Sequence, residues 1–344
     1  QCPDVVDPAI LFRDYAYATG DSAPLVLHFH EYANKAIIPL VTKDDLVVDI
    51  GGNDGTLLKY VKDHCRKVLN IDPACSGYDY MRAMFDQDLA NNLHSIIGPA
   101  KVVTANNVLA HVDDVQDFLK GVHHLLADDG TFIFEVHWVK DLVDRTGYDQ
   151  VYHEHLCYFS LYALTNMLKA VGLVVSDVVV VDNHGKSLRV FANKVPAASR
   201  SDRINRIFAE ERDSGVAMTA SWHAFATRAR AHRDLLRDLL RDLRDGGAMV
   251  VGYGAPAKGS TLLNYCGIGP ETLDYVVDGS RAKQGKLTPG SRVPVVTPDR
   301  LLHDWPDYAL LLSWNYADHV LEKERATRSL GTKFVVPFPE VRVV

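Results

Sequence analysis

Twice in this chain an apolar, strand-like run breaks at a cluster of glycines and passes straight into a helix-like stretch. The first is Leu46-Val-Val-Asp-Ile50, followed by Gly51-Gly-Asn-Asp-Gly55 and Thr56-Leu-Leu-Lys-Tyr60. The second is Ala248-Met-Val-Val-Gly-Tyr-Gly-Ala-Pro-Ala-Lys-Gly259. Strand, glycine turn and helix open a parallel α/β sheet, so each half is restricted to that class. Each turn is followed by a second apolar run ending in an acid, Lys67-Val-Leu-Asn-Ile-Asp72 and Tyr275-Val-Val-Asp278. Val102 to Asn107, Thr131 to Val136 and Tyr308 to Ser313 read as later strands. Helical spacing at Val115, Phe118, Leu119, Val122, Leu125 and Leu126 supplies a crossover.

The expectation is an α/β fold of two Rossmann-like lobes joined by a long helix. With 344 residues there is room for two domains, drawn here as 1–183 and 184–344. The amphipathic stretch 201–244 forms the linker helix, interrupted near Gly215 and stopped by Gly246-Gly247.

Composition narrows the function. Hydrophobic and charged fractions of 47% and 24% are those of a soluble globular protein. The net charge is −7 and no Lys/Arg run occurs, so the footprint of a nucleic-acid binder is missing. No apolar stretch reaches the length of a membrane span, and the N-terminus, which begins at Gln1, lacks signal-peptide character. Cys2, Cys65, Cys75, Cys157 and Cys266 are odd in number and dispersed, which reads as reduced thiols in the cytoplasm.

The first glycine turn lacks the full G-x-G-x-x-G spacing that brings a helix N-terminus against pyrophosphate. It sets acids beside the bend, which repel phosphate but suit an ammonium. S-adenosylmethionine (SAM) carries an amino group, a sulfonium and ribose hydroxyls but no phosphate. On that reading Asp49, Gly51, Asn53 and Gly55 form the cofactor turn and Asp72 holds the ribose diol. Two plainer readings stand beside it: a turn glycine-rich for steric reasons alone, and Asp72 as a turn-forming acid before Pro73.

The segment Gly147 to Ser160 concentrates three tyrosines, two histidines and two carboxylates in fourteen residues. It follows a strand at the point where an α/β domain places its chemistry. A metalloprotease H-E-x-x-H starting at His153 would need histidine at position 157, where Cys157 stands.

Four motifs then occur in order: D-I-G-G-N-D-G-T-L-L from Asp49, A-N-N-V-L-A-H-V from Ala105, Y-D-Q-V-Y-H-E-H-L-C-Y-F-S from Tyr148, and G-Y-G-A-P-A-K-G-S-T-L-L-N from Gly252. Together they resemble the SAM-dependent C-methyltransferases of nucleotide-linked keto-sugars, which make methyl-branched deoxysugars for antibiotics and surface glycans. The resemblance runs from about Leu11 to the C-terminus. Members usually begin with a zinc-binding domain of four cysteines; only Cys2 stands as a remnant here, and no metal site is expected. The stretch after Asp72-Pro-Ala74 also departs from the family pattern.

The resemblance implies an enolate mechanism. His155 is the base, Glu154 orients a sugar hydroxyl or an imidazole, and Tyr152 and His111 donate to the developing oxyanion. Asn107 contacts the sugar, Asn106 lies where the methionine end of SAM belongs, and Tyr15 and Tyr17 close over the site. Tyr158 joins the substrate contacts. Asn106 and Asn107 also read as caps of the next helix, and His153 as structural.

In the second turn Pro256 removes an N–H that phosphate recognition would use. The resemblance implies that this half cradles the nucleotide diphosphate through Lys258 and Ser260, with Lys186 and Arg189 of His184-Gly-Lys-Ser-Leu-Arg189 as a further phosphate-facing cluster. The competing readings are an NAD(P)-dependent oxidoreductase, a bifunctional methyltransferase and ketoreductase, a non-catalytic nucleotide-sugar binder, and a second sheet that is purely structural.

Overall fold

The computed structural model describes residues 6–12, 18–75, 79–183, 185–195 and 201–344. They fall into two compact units, one drawn from Gln1–Lys140 and His153–Gly215, the other from Asp141–Tyr152 and Val216–Val344.

In the first unit α1 (Pro8–Leu11) and α2 (Ala23–Tyr32) precede β1 (Leu46–Ile50). There follow α3 (Leu58–Val61), β2 (Lys67–Ile71), β3 (Tyr80–Met81), α4 (Gln87–Ile97), β4 (Ala100–Asn106), α5 (Val115–Leu125) and β5 (Leu126–His137). After α6 (Val139–Asp144), the unit resumes with α7 (Leu161–Ala170), β6 (Val174–Asp182), β7 (Lys186–Asn193) and α8 (Asp202–Ser214). The seven strands lie in the order β3-β2-β1-β4-β5-β7-β6. Strands β1 to β5 are parallel, whereas β7 runs against both β5 and β6.

Every residue of β1 is buried, as an interior parallel strand requires. Helix α5 places Val115, Phe118, Leu119, Val122 and Leu125 on the buried face, and the Asp114 carboxylate caps it by accepting the Asp117 N–H at 2.9 Å. Each such side chain contributes about 1.5–3 kcal/mol by leaving water. Chain order reverses between β1 and β4, so the turn after β1 and the residues ending β4 flank a topological switch point, where open α/β sheets bind ligands.

The second unit contains α9 (Thr219–Asp245), β8 (Val250–Tyr253), α10 (Ala257–Cys266), β9 (Val276–Val277), β10 (Val295–Val296), β11 (Tyr308–Leu311), β12 (Lys333–Val336) and β13 (Arg342–Val343). Its strand order is β10-β9-β8-β11-β12-β13, with only β13 antiparallel. Its core includes Leu236, Leu240, Val250, Leu262, Leu310 and Phe334, together with Tyr148 from the 141–152 segment.

The sheets follow the sequence reading, but the boundary at 183/184 does not. It would cut the β6–β7 hairpin, whose strands pair from Val174–Asn193 to Asp182–Lys186 within the first sheet. The boundary lies instead at 215/216, and 141–152 belongs with the second unit. The expected linker is two helices broken at Gly215, which takes φ 65°. Helix α8 is tied to the first unit by Glu211, which accepts the Trp138 indole N–H at 2.7 Å and the Leu161 and Tyr162 N–H groups at 2.6 and 3.1 Å. Among the described residues no helix is long and apolar enough to cross a membrane.

Candidate active site

The turn after β1 closes tightly. Gly51 has φ +69°, and a Cβ there would lie 2.3 Å from Val108 Cγ2, so no other residue fits. Asn53 donates its backbone N–H to Asp72 Oδ2 at 3.0 Å, and Ala74 donates to Asp72 Oδ1 at 2.6 Å. Burial raises the Asp72 carboxyl above its ordinary range, against these two donors. Asp54 is spent on structure: it accepts the Gly20 N–H at 2.7 Å and the Thr56 hydroxyl at 2.6 Å. The Asn53 side chain accepts the Thr19 N–H at 3.0 Å, so the segment before α2 is latched onto the turn. Gly55, at φ +76°, completes the bend.

Asp49 is the last residue but one of β1, with its carboxylate against Gly52 of this turn. It accepts the Thr104 hydroxyl at 2.6 Å, and burial pushes its carboxyl up to about 7. At the end of β4, Asn107 takes φ 57° and donates its N–H to the Glu135 carbonyl at 2.8 Å. The side-chain oxygens of Asn70, Asn106 and Asn107 are buried without a hydrogen-bond partner. Such acceptors stay in a core at a cost unless a donor arrives. Bare amide oxygens and two carboxylates suit an ammonium and hydroxyl groups, which SAM supplies. The alternative reading of these asparagines as helix caps gives way, because Asp114 caps α5.

The stretch from His153 to Ser160 is seated on the same unit. Leu156 and Cys157 both donate to the Ala110 carbonyl, at 2.7 and 3.2 Å, which holds the strip beside the short turn Leu109–His111. His155, 4% exposed, has the His111 ring 5.1 Å away edge to face and the His137 ring 4.9 Å away on another side. Tyr158 stands 6.3 Å from it, also edge to face. Burial lowers His111 to about 4, against a hydrogen bond to the Glu154 backbone, so this imidazole is neutral near pH 7. Burial raises the Glu154 carboxyl, and its Oε1 lies 4.0 Å from the exposed His153. Among the described residues no group of three or more His, Cys, Asp or Glu is arranged to hold a metal ion.

His137 was not among the residues expected here. Its only signal in the sequence is its place one step beyond the apolar run 131–136, at the carboxyl end of a strand. Tyr152 ends the 141–152 segment, on the second unit. Tyr15, Tyr17, His184 and the stretch 76–78 that follows Asp72-Pro-Ala74-Cys75 lie outside the described residues.

Arg189 is corrected. On β7 of the first unit, 8% exposed, its guanidinium meets Glu135 Oε1 at 2.6 and 2.8 Å and stacks 3.8 Å from the Tyr32 ring centroid. A buried carboxylate thus neutralises it in place of a phosphate. Lys186 starts the same strand, paired with Asp182 across the hairpin, and so is also on the first unit.

In the second unit the turn after β8 serves its own packing. A Cβ at Gly254 would meet Ser313 Oγ at 2.9 Å, and Asp278 accepts the Ala255 N–H at 2.6 Å. Asp278, the acid that ends the second apolar run of this half, therefore closes the turn, as Asp72 does in the first unit. Lys258, on the first turn of α10, donates to Asn315 Oδ1 and lies 4.3 Å over the Trp314 ring. Burial lowers its ammonium to about 8, against the attraction of Asp149. The Trp314 indole N–H donates to Asp149 Oδ2 at 2.5 Å. Ser260 sits half-buried a half-turn on.

The fold and the cofactor end of the site define a SAM-dependent methyltransferase. Residues 28–178 match the methyltransferase domain family, and residues 182–339 match the C-methyltransferase C-terminal domain family. The C-methyltransferase NovU of Streptomyces niveus is 35% identical over 352 residues, spanning 99% of this chain and 83% of that protein. The chain belongs to the SAM-dependent C-methyltransferase family. Among solved structures, a SAM-dependent methyltransferase from Anabaena variabilis is 12% identical over 51% of this chain and 85% of its own, with a TM-score of 0.39. The N-methyltransferase NodS of Bradyrhizobium japonicum is 13% identical over 52% of this chain and 99% of its own, with a TM-score of 0.38.

Proposed function

We propose that this C-methyltransferase methylates a ring carbon of a nucleotide-diphosphate-linked keto-deoxysugar through an enolate formed by His155. The observation that carries the reading is the setting of His155: 4% exposed, flanked by His111 and His137, on a strip anchored beside the carboxyl end of β4.

A carbon next to a carbonyl is acidic enough for one positioned imidazole to remove its proton, the electron pair moving to the carbonyl oxygen. His155 takes that proton. His111, neutral near pH 7, keeps its Nδ1 buried and without a hydrogen-bond partner. Its part is to orient a hydroxyl or the base rather than to supply a cation. Glu154, with its carboxyl raised by burial, is suited to hold a sugar hydroxyl. Tyr152 and Tyr158 are assigned to the oxyanion and the sugar, and Asn107 Oδ1 to a sugar hydroxyl. Tyr15 and Tyr17 are assigned to closing the site. Asp49, Asp72 and Asn106 hold the cofactor by its ammonium and ribose. When bound, SAM supplies a methyl group on a sulfonium leaving group, so the enolate carbon needs no other activated donor. Lys258 and Ser260 are assigned to the nucleotide diphosphate.

The test is product mass after incubation with methyl-deuterated SAM and a panel of nucleotide-linked 4-keto sugars. One labelled methyl on a ring carbon is the expected result. Label on oxygen, or on none of the sugars, would overturn the acceptor assignment.

A further inference from the structure

The stretch that carries His155 is tied down just past the carboxyl ends of two neighbouring parallel strands, β4 and β5. On the β4 side the Ala110 carbonyl accepts the Leu156 and Cys157 N–H groups. On the β5 side Val139 donates its N–H to the Phe159 carbonyl at 3.0 Å, next to a bridge between Trp138 and Phe159. Each side brings an imidazole to His155. His111 comes from the turn after β4, at 5.1 Å ring to ring, and His137 is the last residue of β5, at 4.9 Å. His137 pairs with Ser187 of β7 and is half-buried, whereas His155 is only 4% exposed. Two positions back on the same face of β5, Glu135 stands in register between Asn106 and Arg189, and its carboxylate is taken up by Arg189 and His28.

Methylation through an enolate leaves a proton behind. The base takes it from the sugar carbon, that carbon forms its bond to the methyl, and the sulfonium departs as a neutral thioether with the bonding pair. The positive charge that arrived on sulfur therefore remains as one proton on His155 in every turnover. It must reach water before the next abstraction, and His155 itself is shut off from water. His111 offers no exit: burial lowers its imidazole to about 4, and its Nδ1 is enclosed. His137 is placed differently. At 4.9 Å two imidazoles can face nitrogens within hydrogen-bonding range, and His137 keeps part of its surface exposed. An imidazole can accept a proton at one nitrogen and yield the one on the other.

We propose that His137 is the proton exit for His155, accepting the proton left by each turnover and passing it to water. This rests on the reading of His155 as the base. The role asks for a place beside the base and a share of the protein surface, and the end of β5 supplies both. His137 acts after methyl transfer, so the first turnover does not need it and every later one does.

The experiment is rapid-quench kinetics of the full chain with labelled SAM and the nucleotide-linked 4-keto sugar that takes up label. Wild type, His137→Gln and His137→Ala are compared, with and without added imidazole. Both variants are expected to form the first equivalent of product at close to the wild-type rate and then to turn over about tenfold to a hundredfold more slowly. Added imidazole is expected to restore the later turnovers of His137→Ala. A steady-state rate equal to wild type in both variants would overturn the proposal. So would a first turnover slowed as much as the later ones, which assigns His137 to packing around the base. A slow phase indifferent to imidazole would also overturn it, because product release would then set the rate. Turnover retained in His155→Ala would instead remove the base on which the proposal rests, an outcome that the His137 variants do not produce.

Discussion

His111 and His155 lie with their rings 5.1 Å apart, edge to face, and burial keeps His111 neutral at neutral pH. An uncharged neighbour neither repels a proton arriving on His155 nor competes for the substrate's. His155→Ala is therefore expected to lower kcat by on the order of 10²–10⁴-fold while leaving S-adenosylhomocysteine affinity close to wild type. Single-turnover kinetics and a binding titration on the same preparation check it, and retained turnover would remove His155 as the base.

Asp49 is expected to give SAM binding a pH dependence. Its carboxyl is raised to about 7 by burial, so it is largely protonated below that value and charged above it. A cationic cofactor is attracted only by the charged form. SAM affinity is expected to tighten by up to about tenfold as pH rises from about 6 to about 8. Asp49→Asn should flatten the profile; a wild-type profile already flat would remove Asp49 from ammonium binding.

Lys258 has the opposite sign. Its ammonium, lowered to about 8 by burial, is present below that pH and lost above it. KM for the nucleotide-linked sugar is expected to climb above about pH 8, and Lys258→Met should raise it about tenfold at pH 7 with a smaller effect on kcat. Initial rates across pH decide this, and a KM indifferent to the substitution would return Lys258 to a structural role.

Glu211 is a stability prediction. Its carboxylate accepts three donors, the Trp138 indole and the first two N–H groups of α7. Glu211→Ala leaves them unpaired and is expected to cost about 3–5 kcal/mol, read from denaturant melts followed by tryptophan fluorescence. Glu211→Gln, which keeps an acceptor in place, should cost less than half of that.

Features carried by neighbouring residues were legible in the sequence. The two glycine turns, the acids ending the second strand of each half and the helical spacing of α5 are visible because a local backbone need dictates a residue type. The row Asn106–Glu135–Arg189 was not. Glu135 and Arg189 are 54 positions apart and meet only because β7 inserts antiparallel beside β5. Reading 184–189 as a phosphate-facing cluster followed from its charge; burial against Glu135 reverses that meaning for Arg189. His137 carries no motif, and its value lies entirely in where the strand ends.

The segment Asp141–Tyr152 interrupts the first unit and contributes Tyr148 to the core of the second. Tyr148 is held there by His232 at 3.0 Å, and Arg228 donates to the Val143 carbonyl at 2.6 Å. Neither unit is therefore a single cassette of sequence. Joining the halves of two related enzymes at the interval between the family matches, 179–181, would splice within one hairpin strand and leave 141–152 facing a foreign partner. A working hybrid would exchange 141–152 and 216–344 as a set, which takes three crossovers, at 140/141, 152/153 and 215/216, rather than one.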